Sequence, residues 1–322
     1  MKANLARLFI GARLYRAAAP FTGLRGSFVV LMYHRILPVR DPLQPSVSFE
    51  DFASDMDFIS RNFTPVSLSS LTGSLPKRAV AITIDDGYRE IYDFVYPLIK
   101  ERGVPVTAFI VSDFAGTDRV LWTTELAEMV GTADSHSVEL ETMDGEMFTL
   151  GSIEERRACI DSIKRFIKPA PPRVGDSVMD EVRAKLGRRS GGKRAMLSWE
   201  EIGEMSGSCM EFGSHTRSHA IVSRVDRKRA WNEIAGSKEV MESRLGRNVA
   251  SFCYPNGQEG DFDDETIAMV RKAGYSLAVT SIPGANTSAA DRYALRRSWT
   301  EGCSRENLYT RIYREFLFPR RE

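Results

Sequence analysis

The sequence predicts an α/β fold built on a parallel β-sheet, either open or closed into a barrel. Short runs of apolar and β-branched residues, typical of strands buried on both faces, recur along the chain. Segments with helical periodicity separate these runs, and such alternation favours parallel strands. Acidic residues and histidines directly follow several runs, as expected where reactive side chains collect at the carboxyl ends of parallel strands.

The predicted elements follow one another through most of the chain. Strands are predicted at 28–33, 79–84, 104–111, 209–213, 250–254 and 276–280. Helices are predicted at 50–61, 88–102, 198–206, 226–245 and 262–273. Within 226–245, apolar residues recur near helical spacing and Gly246 is a plausible stop.

Residues 118–195 interrupt this alternation. The stretch HSVELETMDGEMFTLG predicts a hairpin that turns at Asp144-Gly145, and two charged helical segments follow at 152–167 and 176–187. We interpret the interruption as an inserted α+β segment within a single domain that covers 27–322.

Composition excludes several classes of protein. The 322 residues are 43% hydrophobic and 27% charged, as in ordinary globular proteins, and no apolar run is long enough to span a membrane. The net charge of +1 gives no field that would attract nucleic acid. The four cysteines form no CxxC pair, which favours a reducing compartment over a disulfide framework or a cysteine zinc site.

Residues 1–26 form a basic, amphipathic N-terminal segment. Arginines interrupt its apolar stretch, so it is a poor secretion signal, and a cytoplasmic location is predicted. Its apolar residues can share one face of a helix. That helix either lies on an anionic membrane surface, with residues 1–25 as a peripheral contact at the inner face, or packs on its own domain.

The run AVAITIDDGY ends in two adjacent carboxylates. Asp85 and Asp86 follow a strand predicted to be buried on both faces, where their charges repel. Either Asp86 caps the helix that follows, or the pair lies beside a cation that stabilises both charges.

Two histidines follow another predicted strand. In EFGSHTRSHAIVS, His215 and His219 are four residues apart, and on a helical turn both rings would reach one cation. Two histidines and one carboxylate are a common catalytic zinc set, so one of the two aspartates would complete the site and its neighbour would take a proton from the attacking water.

These motifs resemble those of a known family. TIDDGY followed by HTRSH is similar to the first two motifs of the polysaccharide deacetylases, the NodB-homology group or carbohydrate esterase family four, and the similarity extends over about 28–300. It implies a distorted (β/α) barrel with about seven strands and metal-dependent removal of N- or O-acetyl groups from sugars. It also implies that Asp85 is the general base and that Asp86, His215 and His219 are the metal ligands.

The chain departs from the family pattern in its third motif. Where the family has RxPY, this sequence has Cys253-Tyr254-Pro255-Asn256. The backbone N–H of Asn256 can still donate to an oxyanion, because that donor belongs to the main chain. The arginine of RxPY, which would orient the catalytic aspartate, is replaced by Cys253. Arg297 is the candidate to supply the guanidinium instead, and the alternative is that Arg297 is a surface residue.

The family's C-terminal LxH motif is missing. No histidine follows His219, and His34 in LMYHRI stands at the end of the first predicted strand. The biofilm poly-N-acetylglucosamine deacetylases resemble this arrangement, with the histidine supplied by an early YH motif. His34 is therefore the candidate general acid, with a structural role as its alternative.

The sequence thus predicts a metal-dependent deacetylase that acts on an N-acetylated glycan or a lipid-linked sugar. An amidohydrolase acting on a non-sugar linear amide and a catalytically silent sugar-binding barrel are the alternatives. Zinc is the expected metal, while cobalt, nickel and iron suit the same ligands. The sequence does not distinguish among sugars, between N-linked and O-linked acetyl groups, or among oligomeric states.

Overall fold

The computed structural model describes residues 26–187, 194–207, 209–301 and 305–317. Residues 1–25 lie outside these ranges, so the amphipathic helix, its membrane contact and the cytoplasmic location stay predictions. Among the helices of the described ranges, none has the length and apolar character needed to cross a membrane. None of the three cysteines in those ranges is in a disulfide.

Twelve strands and ten α-helices are described, numbered here in chain order. The strands are β1 Val29–Tyr33, β2 Ile36–Leu37, β3 Val47–Ser48, β4 Thr64–Val66, β5 Ala79–Ile84, β6 Val106–Ile110, β7 Ser137–Leu140, β8 Glu146–Thr149, β9 Met210–Ser214, β10 Ser251–Cys253, β11 Leu277–Val279 and β12 Ser298–Trp299. The helices are α1 Phe49–Asn62, α2 Tyr96–Arg102, α3 Trp122–Thr132, α4 Ile153–Ile167, α5 Pro172–Leu186, α6 Trp199–Met205, α7 Arg227–Trp231, α8 Ser237–Leu245, α9 Asp264–Lys272 and α10 Arg305–Leu317.

The residues divide into two compact units, the larger of which contains the main sheet. This unit comprises the described parts of 1–39, 46–117 and 196–322. Seven of its strands run in the order β11-β10-β9-β6-β5-β1-β12, all parallel, and β4 also pairs with β5. The sheet curves into a half-barrel, which confirms the predicted parallel α/β architecture.

One segment approaches both edges of this sheet. Leu295 bridges to Val279 at the end of β11, and β12 a few residues later pairs with Leu31 and Met32 of β1. Two residues, Arg296 and Arg297, lie between these pairings, and the side chain of Arg297 is fully buried. Residues 295–301, called the closing segment below, therefore direct one arginine side chain into the interior of the half-barrel.

The central strands form as predicted because both of their faces are covered. Every residue of β1, β5 and β6 is buried, which explains their nearly continuous apolar sequences. The six predicted strands are confirmed, with bounds that agree to within a residue or two. The short strands β2, β3, β4 and β12 were not predicted, because none of them has enough residues to show a period.

Two predicted helices contain π-helical turns. The helix predicted at 88–102 begins with a π-helical turn at Ile91–Val95 that continues into α2. The helix predicted at 226–245 consists of α7, a π-helical turn at Asn232–Gly236 and α8, and it ends at Gly246 in the left-handed conformation. Such turns occur often at functional sites.

The second unit comprises residues 40–45 and the described part of 118–195, the segment predicted as an insertion. It contains the antiparallel hairpin β7–β8 and the helices α3, α4 and α5 around a hydrophobic core of its own. Asp144 and Gly145 take positive φ angles at the predicted turn. Arg183 binds both carboxylate oxygens of Glu125, which joins α5 to α3.

Candidate functional site

The two adjacent aspartates lie at the carboxyl end of β5. The backbone N–H of Asp85 donates to the Tyr33 carbonyl at 2.9 Å, and the chain then turns through Asp86 and Gly87 with φ of +75° and +80°. A Cβ on Gly87 would lie 3.0 Å from Ile110 Cδ1, so both conformation and space favour glycine there. Asp86 does not cap the following helix, which begins at Ile91. The alternative of a helix cap is therefore wrong.

The two histidines follow β9 in a bend, so the expectation of a helical turn is wrong. Thr216 and His219 take positive φ angles of +63° and +61°, which reverse the chain between the two rings. The ring centroids of His215 and His219 are 4.8 Å apart, with the ring planes at 75°. The i, i+4 spacing brings the imidazoles together, but through left-handed residues instead of α-helical ones.

Asp86, His215 and His219 converge on one point. The Nε2 atoms of His215 and His219 lie 3.5 and 3.4 Å from Asp86 Oδ1. One ligand atom from each residue lies within 4.8 Å of the others. The structure therefore brings together the three side chains that the sequence grouped.

This group has the chemistry of a divalent-metal site. Asp86 Oδ1 is buried and accepts no hydrogen bond from the described residues. The Nδ1 atom of His215 is 2.9 Å from the Cys253 carbonyl, which can only accept, so Nδ1 carries the proton and Nε2 presents a lone pair. A carboxylate oxygen and two imidazole nitrogens are ligands of zinc and of related transition metals. The residues fit such a cation.

The protonation states of these groups reflect burial and mutual contact. Burial acts to raise the pKa of Asp86, but His215 and His219 hold it well below its usual value, so the side chain is a carboxylate. Burial lowers the pKa of His219. Burial also acts to lower the pKa of His215, yet Cys253 and Asp86 raise it well above the ordinary value. A cation and a proton would therefore compete for His215 Nε2.

Asp85 is held by Arg297. The two guanidinium Nη atoms each lie 2.7 Å from one carboxylate oxygen of Asp85, a bidentate pair with both side chains buried. Burial acts to raise the pKa of Asp85, but Arg297 outweighs it and the pKa lies below its usual value. The carboxylate is thus charged and fixed in orientation.

Arg297 is an interior residue, so the alternative of a surface arginine is wrong. Its Nε donates to the Thr280 carbonyl at 2.6 Å and Nη1 donates to Thr83 Oγ1 at 3.0 Å. Its Nη2 lies 3.1 Å from Cys253 Sγ, which is itself 3.5 Å from Asp85 Oδ2. The guanidinium therefore lies beside the residue that occupies the arginine position of the family's third motif.

His34 lies next to Asp85. Its Nε2 is 3.8 Å from Asp85 Oδ2, so the candidate general acid adjoins the candidate general base. Glu301 accepts from the His34 backbone N–H at 2.7 Å, and both of its oxygens lie 3.1 Å from Nδ1. Burial acts to lower the pKa of His34, but Glu301 and Asp85 raise it to about 9, which makes the ring an acid at neutral pH. The ring is 5.7 Å from that of Trp299.

Asn256 is held in a turn after β10. It takes a φ of +60°, and its side-chain amide donates to Asp261 Oδ2. Asp261 also accepts from the Gln258 backbone N–H at 3.0 Å and from Arg224 Nη2 at 3.0 Å. The turn is therefore fixed by a buried carboxylate, and the role of the Asn256 N–H in the reaction stays a prediction.

Three residues of this site were not assigned roles from the sequence. Glu301 pairs with His34, the Cys253 carbonyl and thiol contact His215 and Arg297, and Glu233 contacts the histidine bend. The sequence gives a weak indication of Glu301, because it follows the candidate residue Arg297 by four positions. Nothing in the local sequence marks Glu233.

Comparison with known proteins gives consistent matches. The model of the polysaccharide deacetylase family matches residues 72–278. The Bacillus subtilis protein named "Putative polysaccharide deacetylase YxkH" is 22% identical over 275 residues, which are 83% of this chain and 69% of that protein. A poly-beta-1,6-N-acetyl-D-glucosamine N-deacetylase of Staphylococcus epidermidis is 26% identical over 148 residues, 37% of this chain and 51% of its own length.

The fold is also that of solved deacetylase structures. The Streptococcus pyogenes deacetylase PplD, solved in complex with acetate, superposes with a TM-score of 0.59 at 19% identity, covering 89% of this chain and 98% of that one. IcaB from Ammonifex degensii gives a TM-score of 0.55 at 18% identity, covering 89% and 97%. Because the family model spans more than half of the residues, including both aspartates and both histidines, the chain belongs to the polysaccharide deacetylase family.

Proposed function

We propose that this protein is a metal-dependent deacetylase that hydrolyses the N-acetyl groups of a glycan. One observation carries the proposal. A complete donor set for a divalent cation, Asp86, His215 and His219, lies beside a carboxylate that Arg297 fixes by two hydrogen bonds. A sugar-binding protein without activity would not need a buried, oriented base next to a metal site.

Asp86 Oδ1 and the Nε2 atoms of His215 and His219 would hold the cation. When bound, a divalent cation polarises the acyl carbonyl and lowers the pKa of water. We propose zinc, because two imidazoles and one carboxylate suit it, with cobalt, nickel and iron as competitors to be tested.

Asp85 is the proposed general base. Its pKa lies below the usual value, so it is ionised at neutral pH and accepts a proton from the water that attacks the acetyl carbon. Arg297 keeps both carboxylate oxygens in fixed positions and cannot itself take up that proton. The backbone N–H of Asn256 is the proposed donor to the oxygen on which negative charge develops.

His34 is the proposed general acid. When the C–N bond breaks, the leaving nitrogen takes a proton from His34 Nε2, and the products are acetate and a free amine. Glu301 on Nδ1 keeps the imidazolium charged and orients the ring, with a pKa of about 9. The proton taken up by Asp85 returns to the ring after turnover, which requires His34 Nε2 and Asp85 Oδ2, 3.8 Å apart, to approach to hydrogen-bond distance.

The substrate class rests on relatives. The Staphylococcus epidermidis relative is named for poly-beta-1,6-N-acetyl-D-glucosamine, and this chain spans about half, 51%, of its length. A glycan that contains N-acetylglucosamine is therefore the substrate we propose, with a polymer or a lipid-linked precursor as its carrier.

The experiment measures acetate release from N-acetylglucosamine oligomers of defined linkage, a lipid-linked N-acetylglucosamine, O-acetylated glycans and simple linear amides. Each substrate is tested with metal-loaded protein, with a chelator, and with Asp85→Asn as the inactive control. We expect chelator-sensitive release from N-acetylated sugars. Release only from simple amides would favour the amidohydrolase, and tight glycan binding without any release would favour the silent binder.

A further inference from the structure

Glu233 contacts the bend between the two histidines. It lies in the π-helical turn between α7 and α8 and is almost fully buried. One carboxylate oxygen accepts from the backbone N–H groups of Arg217 and Ser218, at 3.0 and 2.9 Å. The other accepts from the Ser218 hydroxyl at 2.6 Å. Three donors of the bend therefore converge on one side chain.

The rest of the bend is held by its backbone carbonyls. The Thr216 carbonyl accepts from Ser237 Oγ at 3.1 Å and from the Ser112 backbone N–H at 3.2 Å. The Arg217 carbonyl accepts from the Asp113 backbone N–H at 2.9 Å. The bend is thus held on two sides. Its carbonyls accept from Ser237, Ser112 and Asp113, and its N–H groups at Arg217 and Ser218 donate to Glu233.

This bend needs support because its conformation is costly. Thr216 is β-branched and has a φ of +63°, and His219 has a φ of +61°, a region that non-glycine residues rarely adopt. Such a residue is strained, and its conformation persists only where its surroundings impose it. Thr216 follows His215 directly, and His219 is itself one of the metal-binding group. Relaxation of the bend would therefore separate the two imidazoles.

We propose that Glu233 is a positioning residue that holds the bend in its metal-binding conformation. The inference rests on the metal site of the proposed function. A carboxylate suits this task because both oxygens only accept, and its hydrogen bonds are charge-assisted. Glu233 acts through the backbone at 217–218, so it contributes to the arrangement of His215 and His219 without touching the cation.

The test measures zinc affinity of the metal-free protein by competition with a chromophoric chelator. Glu233→Ala removes all three bonds, and Glu233→Asp keeps the charge but withdraws the carboxylate by one methylene group. We expect the Kd for zinc to rise about 10- to 100-fold in both variants, as for residues that orient metal ligands. Glu233→Gln retains one accepting oxygen and should fall between them and the unsubstituted protein.

A matched control lies nearby on α8. Glu242 accepts from the Val249 backbone N–H at 2.9 Å and pairs with Lys238 at 2.8 Å. Glu242→Ala therefore removes a comparable carboxylate contact away from the histidine bend, and should bind zinc with unchanged affinity. With saturating zinc, turnover of the Glu233 variants should return to within a few-fold of the unsubstituted protein, because only metal affinity is altered.

Some outcomes would overturn the inference. Folded Glu233→Ala and Glu233→Asp proteins with an unchanged Kd for zinc would show that the bend does not depend on Glu233. If Glu233→Ala does not fold, Glu233→Asp decides the matter alone. An unsubstituted protein that binds zinc but releases no acetate would contradict the proposed function while the Kd comparison still tests Glu233. A protein that binds no zinc would overturn both.

Discussion

Arg297 binds both carboxylate oxygens of Asp85, with each Nη atom 2.7 Å from its own oxygen. The two residues are 212 positions apart in the chain and meet because β12 pairs with β1, which itself pairs with β5. Both side chains are buried, so neither charge is compensated by water. Through this pair the fold keeps Asp85, the proposed general base, charged although it is buried.

Replacing Arg297 by lysine should impair the base. Lysine keeps the charge but cannot form two parallel bonds, so the carboxylate loses its fixed orientation. We expect kcat to fall about a hundredfold, as for misplaced catalytic groups. Since Arg297 lowers the pKa of Asp85, the acidic limb of the pH–rate profile should move to higher pH. Arg296→Lys, one residue away, is the control, and an unshifted limb in Arg297→Lys would contradict this role.

Moving the arginine from position 297 to position 253 should restore part of the activity that Arg297→Ala loses. Arg297→Ala leaves Asp85 as an unpaired buried charge, which should cost about 3–5 kcal/mol of stability. Because Cys253 Sγ lies 3.1 Å from Arg297 Nη2, an arginine placed at 253 starts beside the same carboxylate. We expect Cys253→Arg in the Arg297→Ala background to recover about tenfold in kcat/KM, or about 1.4 kcal/mol. Melting temperature and kcat/KM are the measurements. A folded double variant with no recovery would show that an arginine at 253 does not replace Arg297 beside Asp85.

The two adjacent aspartates should respond differently to loss of charge. Asp86→Asn removes an anionic ligand, so metal content after dialysis should fall. Asp85→Asn should keep its metal and lose roughly a hundredfold or more in kcat, as expected for a general base. Metal content and acetate release are measured on the same samples. Equal metal loss in both variants would mean that Asp85 is also a ligand.

Glu301 should set the pH above which activity is lost. His34 must be protonated to act as the acid, and Glu301 raises its pKa to about 9, so activity is retained below that pH and falls as the pH rises through it. In Glu301→Gln the charge is removed and the pKa of His34 falls. The basic limb of the profile should therefore move to lower pH. A limb that does not move would assign it to another group.

His34→Ala should discriminate between amides and activated esters. An amide nitrogen leaves only when protonated, whereas an aryl oxide leaves unaided. We expect a loss of about 10²- to 10⁴-fold on N-acetyl sugars and a clearly smaller loss on an aryl acetate, with metal content unchanged. Equal losses on the two substrates would indicate that the His34–Glu301 contact is structural.

The features that were predicted from the sequence are those with a local signature. Strands such as β5 are buried on both faces, and that environment requires an apolar run. Asp85, Asp86, His215 and His219 were found because they end such runs, where parallel strands gather reactive groups. The roles of these residues stay proposals, but their proximity follows from the topology.

Other features depend on contacts between distant segments. Glu301 contacts the backbone and ring of His34, and Glu233 contacts the bend at 217–218, but one acidic residue in a sequence of ordinary charge does not identify its partner. The helical turn expected at 215–219 was wrong because tertiary contacts stabilise left-handed residues that local propensity disfavours. The conformation of the bend therefore becomes visible only in the structure.

The closing segment has a consequence for biosynthesis. The metal donors are complete once residue 219 has been synthesised, whereas Arg297 and Glu301 emerge about 80 residues later, at roughly 5–20 residues per second. Arg297 and Glu301 flank strand β12, which pairs with β1 through two residues and is bonded to Arg311 and Glu315 of α10. A nascent chain therefore contains the metal donors seconds before it contains Arg297 and Glu301, the residues that hold Asp85 and His34.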